Sequence, residues 1–391
     1  MKGTSSLLFI LLLLGNFLVN SNVFTRFKAN KVGDPSYIPE NSILFKEINR
    51  ASLSSSEDED LGQFFTYFAA FGYCKIASIK NNLCCSGQLP NTIGETNSGG
   101  WTLIDYGESK QGKPTWKDED NSYAVFRNDK YKKVVITFPG TNGFGQLIKE
   151  FLHSGLKKFT NEKHTDVYIN EYFGTRAKEL LPIILSPQNL PPMRLDLGYQ
   201  IIFTGHSLGG AMGAAFAYMA LDLGYITTKL NKPVIYTYGQ PRSGNYQFKQ
   251  ALESETVFIL RMINELDIVP MIPPCAFKEL IGFKCKETEV KTYWHTEPAE
   301  VVDDYDKEGK VTYKDAEVYK EELYREIRKS FSLEELVSYY SAALSGDMDK
   351  VNALISQKVE CIDKIIEWFK KRYRSHINYY GVDIGSQCEG K

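Results

Sequence analysis

The 391-residue sequence lacks an excess of charge of either sign, because 46 basic and 48 acidic residues leave a formal net charge of -2. Without a basic field there is no general attraction for the phosphate backbone, so we expect no nucleic-acid partner. The sequence also lacks internal repeats, low-complexity segments and any Asn-x-Ser/Thr site for N-glycosylation. No Cys/His cluster has the spacing of zinc ligands, which argues against a zinc site.

Long apolar runs are also missing beyond the N-terminus. Residues 7–14 are almost purely apolar, follow Lys2 and precede small residues near Ser21. This layout is typical of a secretory signal peptide, and the run is shorter than the roughly 20 residues that span a bilayer. We predict a signal peptide at 1–21, with an uncleaved signal anchor as the alternative. The mature chain should have no transmembrane segment and should be secreted or lumenal.

Seven cysteines are present, and a secreted chain can oxidise them. An odd count leaves at least one thiol unpaired or in an intermolecular bridge, and spacing alone does not define the pairs. They are Cys74, Cys84, Cys85, Cys275, Cys285, Cys361 and Cys388.

The pattern of apolar residues predicts one α/β domain after a polar N-terminal extension at 22–60. Within the domain, 61–391, strands and helices alternate from about residue 171, which favours a mainly parallel central sheet with helices on both faces. The predicted strands are 101–106, 123–127, 133–138, 199–203, 234–238 and 257–263, and the predicted helices are 61–79, 171–185 and 208–223.

A region at about 300–371 differs because it is highly charged. Two amphipathic helices are predicted there, at 316–344 and 348–372, and the apolar residues of the second fall close to one stripe. We interpret this region as a helical insert in the same domain, before the C-terminal histidine.

The strongest chemical signal is Gly-His-Ser-Leu-Gly at residues 205–209, between a predicted strand and a predicted helix. Strand, tight turn and helix form the nucleophile elbow of the α/β-hydrolase fold, in which small residues flank the serine. The helix N-terminus beneath the serine favours negative charge. We therefore predict that Ser207 is a nucleophile.

A serine needs a base and an acid that orients the base, and in this fold they follow in the order Ser, acid, His. Asp267 stands just beyond the strand at 257–263 and is preferred to its neighbour Glu265. Two histidines follow the serine at a distance, His295 and His376. Order alone does not separate them as candidates for the base.

An oxyanion hole should complete the site. One donor should be the backbone N–H of Leu208, directly after the nucleophile. The other could come from Thr141, which follows the strand at 133–138 in Phe-Pro-Gly-Thr. A simple Pro-Gly turn is the alternative interpretation of that segment.

Together these segments resemble the fungal-type (class 3) triacylglycerol lipases. The resemblance runs from about 64 to 388 and is carried by residues 134–141, 204–211, 238–245 and 264–274. In that family the base lies in a C-terminal His-x-x-Tyr-Phe/Tyr-Gly segment, which residues 376–381 resemble, so the resemblance implies His376. It also implies Thr141 as an oxyanion residue and a Cys74–Cys388 disulfide.

The resemblance implies a serine ester hydrolase that cleaves acylglycerols at a lipid–water interface without a cofactor or metal. Residues 144–152 then correspond to a lid flanked by glycines, although an ordinary surface helix fits equally well. The alternatives are a phospholipase A1 or lysophospholipase, a carboxylesterase, or a non-catalytic lipid-binding protein on the same scaffold.

Overall fold

The computed structural model describes residues 55–74, 100–108, 121–140, 155–159, 164–264, 267, 269–272, 292–297, 299–305, 311–314, 322, 325, 375–380 and 382–384. Among these residues there is no helix with the length and apolar character needed to cross a bilayer. The predicted signal peptide, the lid segment 144–152 and most of the predicted insert lie outside the described residues.

The described elements occur along the chain in the following order: α1 Ser55–Phe71, β1 Thr102–Glu108, β2 Asn121–Asn128, β3 Lys133–Phe138, β4 Leu156–Lys158, β5 Tyr168–Asn170, α2 Glu171–Ile184, α3 Leu190–Met193, β6 Gln200–His206, α4 Leu208–Asp222, α5 Thr228–Asn231, β7 Val234–Tyr238, α6 Tyr246–Glu255, β8 Phe258–Asn264, β9 Ala299–Tyr305, β10 Val311–Lys314, β11 Asn378–Tyr379 and β12 Val382–Asp383. Two short 3-10 helices lie at Leu195–Leu197 and Val269–Met271.

Eight of the strands form one sheet in the order β1-β2-β3-β6-β7-β8-β9-β10. Within this sheet the neighbouring strands β3, β6, β7, β8 and β9 run parallel to one another. The strands β1 and β2 at one edge and β10 at the other pair antiparallel. Parallel neighbours need a crossover, and α4 provides the one between β6 and β7. The mainly parallel sheet predicted from the sequence is therefore confirmed.

Helices cover both faces of this sheet. On β3, Val134 and Ile136 enter a core with α2, α4 and α6, whereas Val135 between them enters a second core with α1. Because successive strand residues point to opposite faces, a strand buried on both faces must be apolar throughout. Helix α4 is buried on every side from Leu208 to Ala220, as its Ala- and Gly-rich sequence permits.

The first helix does not have the predicted bounds. It begins at Ser55 and ends at Phe71, so the bounds predicted for this helix, 61–79, were wrong and the acidic run 57–60 belongs to the helix. Acidic residue types are favourable near a helix N-terminus because of the helix dipole. The chain leaves the helix at Gly72, where an added Cβ would lie 3.0 Å from the carbonyl oxygen of Phe138.

The predicted helical insert also begins too early. Residues 299–305 and 311–314 are the strands β9 and β10, and β9 extends the parallel part of the sheet beside β8. The region was interpreted from its charge, but Val301, Val302 and Val311 are β-branched and favour strands. Glu322 and Arg325 are helical, and the rest of the insert lies outside the described residues.

Candidate active site

Ser207 stands at the sharp turn between β6 and α4. Its backbone has φ 58° and ψ -127°, a conformation that is costly for any residue with a side chain. The Ser207 N–H donates to the carbonyl of Tyr238 on β7 at 2.8 Å, which fixes the turn to the neighbouring strand. The serine is thereby held at the carboxyl edge of the sheet.

Two glycines allow this turn to be tight. A Cβ on Gly205 would lie 2.4 Å from the backbone of Gly209, and a Cβ on Gly209 would lie 2.1 Å from the carbonyl oxygen of Phe138. Neither neighbour can yield, because both contacts are with backbone atoms. The Gly-x-Ser-x-Gly spacing is therefore required by close packing of β6, α4 and the end of β3.

The C-terminal segment brings His376 to the serine. His376 Nε2 lies 2.9 Å from Ser207 Oγ, within the range for direct proton transfer, and both side chains are buried. Of the two histidines that order alone left open, the structure places His376 at the serine. His295 instead donates from Nε2 to the carbonyl oxygen of Pro270.

Asp267 completes a chain of hydrogen bonds behind the imidazole. Its Oδ2 lies 2.8 Å from His376 Nδ1 and accepts a hydrogen bond from the Tyr379 hydroxyl at 2.6 Å. Its Oδ1 accepts from the Val269 N–H at 2.8 Å. The carboxylate is fully buried, and such a group is tolerated only when its oxygens are hydrogen-bonded. Glu265, the alternative acid, lies outside the described residues.

Gly239, directly after β7, packs against this acid–base pair. Its φ of +57° is left-handed, and an added Cβ would lie 2.6 Å from Asp267 Oδ2 and 2.9 Å from His376 Nδ1. Any side chain here would enter the hydrogen bond between the two residues. The sequence interpretation did not assign this role, although a glycine that ends a buried strand is a signal for close approach.

Behind the base, His206 is buried and makes two hydrogen bonds. Its Nε2 lies 2.6 Å from the backbone carbonyl oxygen of His376, and its Nδ1 lies 2.7 Å from the Tyr73 hydroxyl. Burial lowers the pKa of His206 well below its usual value, and the neighbouring His376 acts in the same direction. The hydrogen bond to the carbonyl opposes this shift without reversing it.

One predicted oxyanion donor can be located. Leu208 is the first residue of α4, and the first N–H groups of a helix have no partner within it. Thr141 lies outside the described residues, but Gly140 before it approaches the elbow, since an added Cβ there would lie 2.7 Å from the His206 carbonyl oxygen. Within the described residues no cluster of three His, Cys, Asp or Glu side chains is placed to hold a metal ion.

The sheet with its helices on both faces, and the elbow after its central strand, define an α/β-hydrolase fold. The chain is similar to a solved structure of the Rhizomucor miehei lipase propeptide complex. The match covers 94% of this chain and 90% of the chain in that structure, with a TM-score of 0.52 and 16% sequence identity, and it supports the fold alone. Residues 135–277 of the 391-residue chain match the family model described as Lipase (class 3).

Curated relatives match over shorter segments. A lipase of Rhizopus niveus is 32% identical over 162 residues, which cover 40% of this chain and 39% of the relative. Phospholipase A1-Igamma1, chloroplastic, of Arabidopsis thaliana is 42% identical over 76 residues, which cover 19% of this chain and 15% of the relative. The chain thus spans less than half the length of these relatives.

Proposed function

We propose that the chain is a lipase that hydrolyses the carboxylic ester bonds of acylglycerols, with Ser207 as nucleophile, His376 as base and Asp267 as the orienting acid. The observation that supports this most strongly is the continuous hydrogen-bond chain from Ser207 Oγ through both nitrogens of His376 to Asp267. Each member is buried and comes from a different part of the sequence. Such an arrangement is what activation of a serine hydroxyl requires.

In the first half of the reaction, Ser207 Oγ attacks the ester carbonyl while His376 Nε2 takes its proton. The tetrahedral oxyanion accepts hydrogen bonds from the backbone N–H of Leu208 and from Thr141. His376 then gives the proton to the departing alcohol oxygen, and an acyl-enzyme remains. Asp267 keeps the imidazole in the tautomer with hydrogen on Nδ1 and stabilises its transient positive charge.

The second half repeats these steps with water. His376 takes a proton from the water, whose oxygen attacks the acyl carbon, and the proton returns to Ser207 Oγ as the fatty acid leaves. Each oxyanion donor typically contributes about 100- to 1000-fold to the rate. Neither half needs a metal or an organic cofactor.

Secretion is part of the same proposal, because the signal-like N-terminus directs the chain to an oxidising compartment. Cys74 is buried and disulfide-bonded. We assign Cys388 as its partner, since Ile384, four residues earlier, packs in the same apolar core as Cys74. At a lipid–water interface, residues 144–152 would act as the lid.

A second candidate is a phospholipase A1. The specific observation in its favour is the 42% identity to the chloroplastic phospholipase over 76 residues. Both candidates use the same serine chemistry, so they differ only in the head group that the rim of the site accepts.

The test is hydrolysis of triolein and phosphatidylcholine emulsions by the wild type, by Ser207→Ala and by the matched control Ser254→Ala. Ser254 lies on α6 and donates to the Ala251 carbonyl, away from the site. Activity on triolein that is lost only in Ser207→Ala supports the lipase, and activity on phosphatidylcholine alone supports the phospholipase. No activity on either would contradict both candidates, and a failure of fluorophosphonate labelling as well would favour a binding protein.

A further inference from the structure

We propose that His206 is a positioning residue for the base, because its Nε2–H holds the backbone carbonyl of His376. Tyr73 fixes the tautomer of His206 that carries this hydrogen on Nε2. This inference rests on the proposed function. It concerns residues whose side chains do not touch the serine or the acid.

The geometry gives His376 three points of attachment. Ser207 and Asp267 contact the two ring nitrogens at 2.9 and 2.8 Å, and His206 contacts the main-chain oxygen at 2.6 Å. The first two contacts orient the ring, and the third holds the backbone oxygen of the same residue. The anchor itself is rigid, since His206 is the last residue of β6 and is buried.

The tautomer follows from the partners. A carbonyl oxygen only accepts, so His206 must carry its hydrogen on Nε2, and the neutral ring then has a lone pair on Nδ1. The Tyr73 hydroxyl, 2.7 Å away, donates to that lone pair. Removing this donor would leave the opposite tautomer, or the protonated ring, easier to reach.

A neutral His206 also suits the chemistry of its neighbour. The rings of His206 and His376 are 4.5 Å apart between centroids, so a charged His206 would oppose the imidazolium that the base becomes. Among the described residues, Tyr73 and Tyr379 also make ring contacts with His206, and neither side chain is basic. Within the described part of the chain, the side chains in ring contact with His206 therefore add no positive charge beside a base that becomes an imidazolium.

The experiment compares kcat and KM on a soluble p-nitrophenyl ester for His206→Leu, His206→Gln and Tyr73→Phe. His206→Leu removes the donor to His376, and we expect kcat to fall about 10- to 100-fold with KM nearly unchanged, because a misplaced base affects only the chemical step. The Gln amide places a donor near the position of Nε2 and should restore most of the loss. Tyr73→Phe should lower kcat less, and should have no added effect in the His206→Leu background.

His164→Leu is the matched control. His164 lies beside Glu255 and Tyr218, away from the serine, and its loss should leave kcat unchanged. Thermal unfolding of every variant shows whether it is folded, and ¹⁵N NMR of the wild type reads the His206 tautomer directly.

The outcomes separate the two proposals. If the wild type is active and a folded His206→Leu or Tyr73→Phe variant keeps the wild-type kcat, the positioning role alone is overturned. The same holds if His206 of an active wild type carries its hydrogen on Nδ1. If His206→Leu does not fold, Tyr73→Phe and the NMR signal still decide. A wild type that neither hydrolyses the ester nor reacts with a fluorophosphonate overturns the proposed function and this inference together.

Discussion

Replacing Gly239 by alanine is expected to disable the site while leaving the protein folded. The added Cβ would stand 2.6 Å from Asp267 Oδ2, whereas ordinary contact begins at 3.4 Å. It would also stand 2.9 Å from both Nδ1 and Cε1 of His376. The acid and the base must therefore move apart, or the end of β7 must shift away from both.

Two costs can be estimated. The φ of +57° becomes unfavourable for alanine by roughly 1–2 kcal/mol, which lowers the free energy of unfolding. The steric shortfall is close to 1 Å, and a displacement of that size in a catalytic group typically lowers the rate by roughly 100-fold. The larger effect should thus appear in kcat and the smaller one in stability.

Gly224→Ala is the control that separates these costs. Gly224 also has a left-handed φ, +75°, but nothing lies within 4 Å of its added Cβ. It should lose about the same 1–2 kcal/mol of stability, measured by urea unfolding, while its kcat on a soluble ester stays at the wild-type value. A Gly239→Ala variant with wild-type kcat would refute the reasoning, since the packing of Gly239 on the acid–base pair would then be wrong.

Three further predictions concern Ser207, Tyr379 and His206. The free energy of unfolding of Ser207→Gly should exceed that of Ser207→Ala by about 1 kcal/mol or more, because glycine relieves the strained φ of 58°. Equal midpoints in urea unfolding would argue against strain at the elbow. Tyr379→Phe removes a donor to Asp267 and should lower kcat about tenfold, whereas Tyr199→Phe, which loses a similar contact to Asp129, should not. Because the pKa of His206 is lowered in the folded state, the unfolded state binds one more proton below about pH 6.5. The free energy of unfolding should therefore fall with falling pH by up to about 1.4 kcal/mol per unit from this group; urea titrations should show a shallower dependence for His206→Gln, and an unchanged slope would contradict a neutral His206.

The elbow could be predicted from sequence because every requirement for it is local. A β-rich strand, a serine between small residues and an Ala-rich helix follow one another within about twenty residues of chain, and each constrains the next. Asp267 was predictable for a related reason, since it comes directly after a parallel strand and such strands end at the same edge of the sheet.

The base could not be chosen from chain order, because His295 and His376 both follow the last predicted strand. Which of them reaches Ser207 depends on how distant segments fold together, and only the resemblance to a family favoured His376. Similar limits apply to Tyr73, which contacts His206 across 133 positions of sequence. Tyr379 lay within reach of prediction, as it stands three residues after the base on the same short segment.

The strands β9 and β10 were missed for a different reason. Their sequences are as charged as the helices predicted after them, so composition outweighed the β-branched residues Val301, Val302 and Val311 that favour a strand. The ends of α1 were misplaced because an acidic run resembles an exposed extension as much as the first turns of a helix.

The central claim is that Ser207 is an activated nucleophile, and covalent labelling tests it most directly. The purified protein would be treated with a fluorophosphonate and digested, and the modified peptide located by mass spectrometry. We predict one adduct, on Ser207, which disappears in His376→Ala and persists in His164→Ala. An adduct on another serine, or none on a folded wild-type protein, would contradict the account.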